Sequence, residues 1–281
     1  MGLFDFGQAV QLLGLDFVQT ALIAGAVLGL VAGVLAPLIV ARNMAFSVHA
    51  TAEIAFSGGA AALLLGISVG YGALGAAVLI AIVLGVLSRR DTERDSVIGV
   101  VLAFGLGVGV LLLSLYTGRS SNKFGLLVGQ IVGVDSTSLT LLVTSSIVVL
   151  VVLGVIYRPL RFASVDREVA VARGVPDGWL TVLFAVLVGV ATALGVQTVG
   201  SLLVMSLMIT PGAAAMRVTA NPLLITVLSV IFAEVAILGG IVLSLPTTVP
   251  VSPFVTAISF VIYLACRSLG ALRRAPTPIT A

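Results

Sequence analysis

The only histidine of the chain, His49, stands four residues before a glutamate, Glu53, inside an otherwise apolar stretch. On a helix, residues i and i+4 share one face and their side chains reach each other. Titratable groups inside a membrane span are costly to hold, and those that persist usually line a path or a site. An imidazole and a carboxylate facing one cavity supply the beginning of a divalent-metal site. This N/O donor pair suits Mn²⁺, Zn²⁺ or Fe²⁺ and does not decide among them. The competing interpretation is a hydrogen-bonded pair that only packs. Glu234 is another acidic residue inside an apolar run, with no basic residue near it in sequence. It fits a protonated carboxyl, a pairing across helices or a place on a path. Met44, Met205 and Met208 are possible soft ligands, but methionine in an apolar helix is more often a filler of gaps.

The elements that carry these residues are membrane helices. Hydrophobic residues make up 60% of the 281, charged ones 9%, and mean hydropathy is +1.28. No soluble core hides that much apolar surface. The apolar runs have helix-spanning length and lack strand alternation, so an all-α polytopic bundle is expected rather than a barrel. Nine spans are read: 18–40, 44–68, 71–87, 97–115, 139–156, 179–196, 198–215, 222–245 and 251–265. The sixth and seventh are joined by almost nothing, so eight is the alternative count. Residues 1–281 form a single transmembrane domain, its spans covering roughly 18–265. Met1–Asp16 contains no Lys or Arg, so the first apolar run is expected to be a retained span rather than a cleaved signal.

Positive charge sets the orientation. Connections after odd-numbered spans, with the C-terminal tail, hold Arg42, Arg89, Arg90, Arg94, Arg158, Arg161, Arg167, Arg173, Arg217, Arg267, Arg273 and Arg274. Only Arg119 and Lys123 fall on the opposite side. The C-terminus is therefore placed in the cytoplasm and, with nine spans, the N-terminus outside. The scattered basic residues make no nucleic-acid patch. Cys266 alone allows no internal disulfide and is expected to pack. Gly25, Gly29 and Gly33 mark a helix face open to close backbone approach. Pro211 is expected to kink or end the seventh span. The long outer connection 117–138 holds an apolar stretch, Phe124–Val134, too short to span.

No P-loop and no hydrolytic triad is present, so the chain is not expected to be an enzyme by itself. Uphill transport would need a partner or an ion gradient. The inner loop 158–178 holds Asp166 as an N-cap, Glu168 in the first turn, a short run through Arg173 and Gly174 as a stop. Such a capped helix is either an ordinary loop element or a knob for a cytosolic subunit.

The pattern Asp166-x-Glu168-x-Ala170-x-x-x-Gly174 resembles the coupling-helix segment of permease subunits from metal-type ABC importers of manganese, zinc or ferrous iron. Three more stretches agree in order. Arg42-x-Met44-Ala45-Phe46 resembles the family's Arg-Arg-Met-Ala segment. Leu127-Val128-Gly129-Gln130-Ile131-Val132-Gly133-Val134 resembles its Gly-x-Leu-Leu-Gly-Val stretch. VGSLLVMSLMITPGAAA at 199–215 is similar to its Val-Gly-x-Leu-Leu-Val…Pro-Ala-Ala-x-Ala helix. Where the family usually shows Asp-x-x-x-His, this chain has His49-x-x-x-Glu53, and Thr248-Val249-Pro250 replaces a frequent Asp-Leu-Pro.

The resemblance implies a plasma-membrane permease without a bound cofactor, whose His49 and Glu53 meet a divalent metal in transit. It further implies a cytosolic ABC ATPase that uses ATP, an extracytoplasmic metal-binding protein, and a second permease chain, identical or not. Surrounding lipid completes the partners, and nucleic acid is not among them. The alternative is a proton- or sodium-coupled secondary transporter using Glu53 and Glu234.

Overall fold

The computed structural model describes residues 12–87, 94–118, 125, 136–247 and 249–273. Within them the chain is helical, with no strand. Its elements are α1 (Asp16–Ala41), α2 (Ala45–Leu64), α3 (Val69–Leu87), α4 (Arg94–Leu115), α5 (Ser136–Val165), α6 (Arg167–Ala172), α7 (Asp177–Val199), α8 (Ser201–Val218), α9 (Pro222–Ser244) and α10 (Val251–Arg273). Most of the outer connection 117–138, including Arg119, Lys123 and Leu127–Val134, lies outside the described residues. So do Arg89, Arg90, Thr248 and Arg274.

Seven helices are long and apolar enough to cross a membrane: α1, α3, α4 from Asp95, α5, α7, α9 and α10 through Gly270. The apolar part of α8, Leu203–Val218, is shorter. Helix α2 has 20 residues, but Ser47, His49, Thr51, Glu53 and Ser57 dilute its apolar character.

Helix α2 sits inside the bundle, packed on α3, α4, α7 and α8, while α1 packs on α5, α8 and α9. Phe56, Leu35, Ile39, Phe184, Leu207 and Met208 anchor one continuous core across these helices. Small residues set the closest approaches, as they do where lipid offers no hydrophobic drive for helix association. A Cβ on Gly58 of α2 would stand 2.5 Å from the Gly72 carbonyl oxygen of α3. The Gly29–Gly33 face of α1 does receive a neighbour: a Cβ on Gly33 would fall 2.5 Å from Val230 Cα of α9. Cys266 is buried, as a packing residue should be.

Two helices continue through an internal proline. Helix α8 runs through Pro211 to Val218 instead of ending there, with Gly212 seated against Ala36 and Pro37 of α1. Tertiary contact carries the helix past the lost backbone donor. Likewise α5 continues through Pro159 to Val165, because Leu160 and Ala163 are buried against the bundle. Its 30 residues reach about 45 Å, well beyond the hydrocarbon thickness of about 30 Å. The hinge between α7 and α8 is a single residue, Gly200, with φ 88°, a conformation that glycine adopts without a Cβ penalty.

Candidate functional site

Helix α1 ends in a three-residue elbow, Arg42-Asn43-Met44, before α2 begins. Asn43 takes a left-handed φ of 53°, which Asn tolerates better than most residues. The Met44 amide donates back to the Ile39 carbonyl at 2.9 Å, so the elbow is tight. One turn into α2, His49 and Glu53 lie on one face, with His49 Nδ1 3.9 Å from Glu53 Oε1. That separation is too long for a hydrogen bond. Both His49 Nδ1 and Glu53 Oε2 are buried without a hydrogen-bond partner. The two side chains face each other without a hydrogen bond between them.

Two donors about 2.1 Å from one ion stand roughly 3–3.5 Å apart, somewhat closer than the 3.9 Å found here. Glu53 is 2% exposed, whereas the imidazole is 29% exposed, so the site is open on the histidine side. Among the described residues no group of three or more His, Cys, Asp or Glu stands close enough to hold a metal. Thr51, a further polar neighbour in sequence, instead donates to the Ser47 carbonyl at 2.7 Å. Ser57 fixes the neighbouring helix: its hydroxyl donates to the Gly105 carbonyl of α4 and lies 3.0 Å from the Glu53 carbonyl.

Glu234 is not brought into this pair. It lies on α9 against α1, where a Cβ on Gly29 would meet Glu234 Oε1 at 3.0 Å. Helix α9 packs on α1, α8 and α10, and α2 on a different set with only α8 in common.

The capped inner helix forms as its residues dictate. Asp166 Oδ1 accepts from the Val169 amide at 3.0 Å, and Glu168 occupies the first turn. Gly174 follows with φ 82°, its amide on the Val171 carbonyl, while the Val175 amide returns to Ala170. Ala170 is fully buried and roots the helix, whereas Val165, Val169 and Val171 are exposed. The helix thus presents an apolar knob with Glu168 at its edge.

Behind that knob lies a group that sequence reasoning missed. Asp177, the first residue of α7, is buried with its carboxylate held from two sides. Arg42 Nη2 donates to Asp177 Oδ1 at 3.0 Å and to Thr181 Oγ1 at 2.7 Å. Arg42 Nη1 donates to Ser164 Oγ at 3.3 Å, at the end of α5. Arg167 Nε, on α6, donates to Asp177 Oδ2 at 2.8 Å. A carboxylate at a helix N-terminus is favoured by the backbone dipole, and here both oxygens are also paired. A lone acid at the start of an apolar span, with Arg42 and Arg167 at the same end of the bundle, was the available signal.

The architecture, with seven helices long and apolar enough to cross a bilayer, is that of a multi-pass helical membrane protein. A family model described as the ABC 3 transport family matches residues 14–269, and the chain belongs to that family. It is 29% identical over 235 residues to the manganese transport system membrane protein MntC of Halalkalibacterium halodurans, covering 83% of this chain and 80% of that one. It is 30% identical over 200 residues to the manganese import system permease protein ScaB of Streptococcus parasanguinis, covering 71% of each. The fold matches a chain of PsaBC from Streptococcus pneumoniae in complex with Fab, with a TM-score of 0.85 and 23% identity, covering 96% of this chain and all of that one.

Proposed function

We propose that the chain is the permease subunit of an ATP-driven importer of a divalent metal, with Mn²⁺ the first candidate because the relatives MntC and ScaB are named for manganese. The observation that carries the proposal is the His49–Glu53 pair, two buried donor atoms without partners on one face of the central helix α2. Two protein ligands leave coordination positions to water or to groups of another subunit. Such incomplete coordination suits an ion that must also be released. All nine long helices cross the membrane in this proposal, α2 and α8 included, with the C-terminus in the cytoplasm. A second permease chain completes the path, and an extracytoplasmic protein delivers the ion.

Coupling is assigned to α6. Its exposed valines and Glu168 form the contact for a cytosolic ABC ATPase, with Asp166, Ala170 and Gly174 holding the helix in shape. The separation of Glu53 and Glu234 onto different helix contacts gives no support to an ion-coupled secondary transporter using both.

The test is uptake of radiolabelled Mn²⁺ and Zn²⁺ by proteoliposomes of the assembled complex, normalised to folded protein by size-exclusion profile. His49→Ala and Glu53→Gln should each cut uptake at least about tenfold, the equivalent of losing about 1.4 kcal/mol of ion stabilisation. Wild-type uptake per folded molecule in both variants would overturn the metal-path assignment.

A further inference from the structure

The Arg42–Asp177–Arg167 network joins the inner-face helix to the elbow that starts the metal-site helix. Arg167 belongs to α6, Asp177 to α7, and Arg42 to the turn three residues before Ala45 opens α2. Side-chain exposure is 3% for Asp177 and 9% for Arg42, so the central pair is shielded from water. A buried, doubly paired carboxylate resists separation from its partners, since breaking it strands a charge in a poorly solvating interior. The elbow is short and internally hydrogen-bonded, which leaves little slack between Arg42 and His49.

We infer that Asp177 is a positioning residue for transport, clamping the ATPase-contact helix to the α1–α2 elbow so that a displacement of α6 moves His49 and Glu53 with it. This rests on the proposed function, because it presumes that α6 is the ATPase contact and α2 the metal path. Asp177 touches no ion itself. Its two carboxylate oxygens have separate roles, with Oδ2 taking the input from Arg167 and Oδ1 delivering it to Arg42.

Arg167→Ala is the variant of choice. Its side chain is 51% exposed, and its loss leaves Asp177 still paired with Arg42. The complete transporter, with its ATPase and binding protein, is reconstituted, and Mn²⁺ uptake and ATP hydrolysis are measured on the same vesicles. Loss of the Arg167 contacts, the charge-assisted bond to Asp177 among them, should lower Mn²⁺ moved per ATP by about tenfold, with ATPase still bound and still hydrolysing. Arg167→Lys should recover most of the ratio. A purely structural role would lower protein yield and leave the ratio unchanged.

Spin labels at Phe46→Cys and Ala172→Cys, in a Cys266→Ser background, supply a second readout that needs no loss of function. Their separation should stay constant on ATP binding in the otherwise wild-type complex and broaden in Arg167→Ala. An unchanged Mn²⁺-to-ATP ratio in Arg167→Ala, or a label separation that shifts on ATP binding without that change, would overturn the clamp. Such a result leaves the importer assignment standing, provided the wild-type complex couples Mn²⁺ uptake to ATP. Absence of coupled uptake in the wild type would instead strike the proposed function.

Discussion

Gly105 of α4 is pressed against the backbone of Glu53 in α2: a Cβ there would stand 3.1 Å from the Glu53 carbonyl carbon. The backbone that carries the Glu53 side chain is thus approached by a neighbour that contributes no side chain at all. Gly105→Leu should push α4 away and tilt the Glu53 face, with an overpacking cost of about 1–3 kcal/mol. Thermal unfolding in detergent should register a lower midpoint, and Mn²⁺ uptake per folded molecule should fall. Full uptake in a folded Gly105→Leu protein would show that the Glu53 position is not critical.

The order of ligands along α2 offers a separate check. The double substitution His49→Asp with Glu53→His places a carboxylate and an imidazole in the opposite order, still one turn apart. Uptake should be better retained in the double variant than in either His49→Ala or Glu53→Gln. Glu53→Asp should likewise exceed Glu53→Gln, since charge matters more than side-chain length. Initial rates of Mn²⁺ uptake across the four variants decide this.

Acidification should weaken Mn²⁺ uptake, because a ligating imidazole and carboxylate must be deprotonated and metal binding releases protons. Below the range where both are deprotonated, higher Mn²⁺ concentration should restore the rate, since the ion competes with the proton for the same lone pairs. A pH-dependent loss that saturating Mn²⁺ leaves untouched would separate the acid effect from the site.

The helical order and the His49–Glu53 face were legible in the sequence because both depend on local spacing. The apolar runs and i, i+4 placement need no knowledge of what packs against them. The ends of α5 and α8 were harder. Pro159 and Pro211 carry a local signal to stop, and only burial of Leu160 and close contact of Gly212 with α1 override it. Asp177 was hidden for a related reason: its partners lie 135 and 10 residues away, and neither spacing has a local pattern. Asp166 and Gly174, by contrast, announce a cap and a stop within nine residues of chain, and the structure has both.

Interference with α6 should impair ATP use and transport together. Glu168→Lys reverses the charge at the edge of the exposed valines. Gly174→Val forces a β-branched residue into a φ of 82°, at a cost of about 1–2 kcal/mol. Each should leave membrane insertion intact while reducing substrate-stimulated ATP hydrolysis and uptake together. Unchanged values of both in proteoliposomes would remove α6 from the ATPase contact.

Orientation can be read with a thiol reagent that does not cross membranes. In a Cys266→Ser background, Lys123→Cys should react in intact cells, whereas Asp91→Cys and Arg274→Cys should react only after lysis. Labelling of Arg274→Cys from outside would invert the topology and remove the basis for ATPase docking on α6.

The Asp177 clamp also has a consequence for how the protein is made. Both arginines that neutralise the carboxylate, Arg42 and Arg167, precede it along the chain. A ribosome feeding this polypeptide into a bilayer therefore delivers the two cations first and the anion last. When the α7 segment emerges, both counter-ions of its acidic end have already been synthesised. Reversing that order would leave a bare carboxylate at the bilayer edge until its counter-ions were synthesised. Vectorial synthesis thus spares the nascent chain an uncompensated charge at the step where α7 must insert.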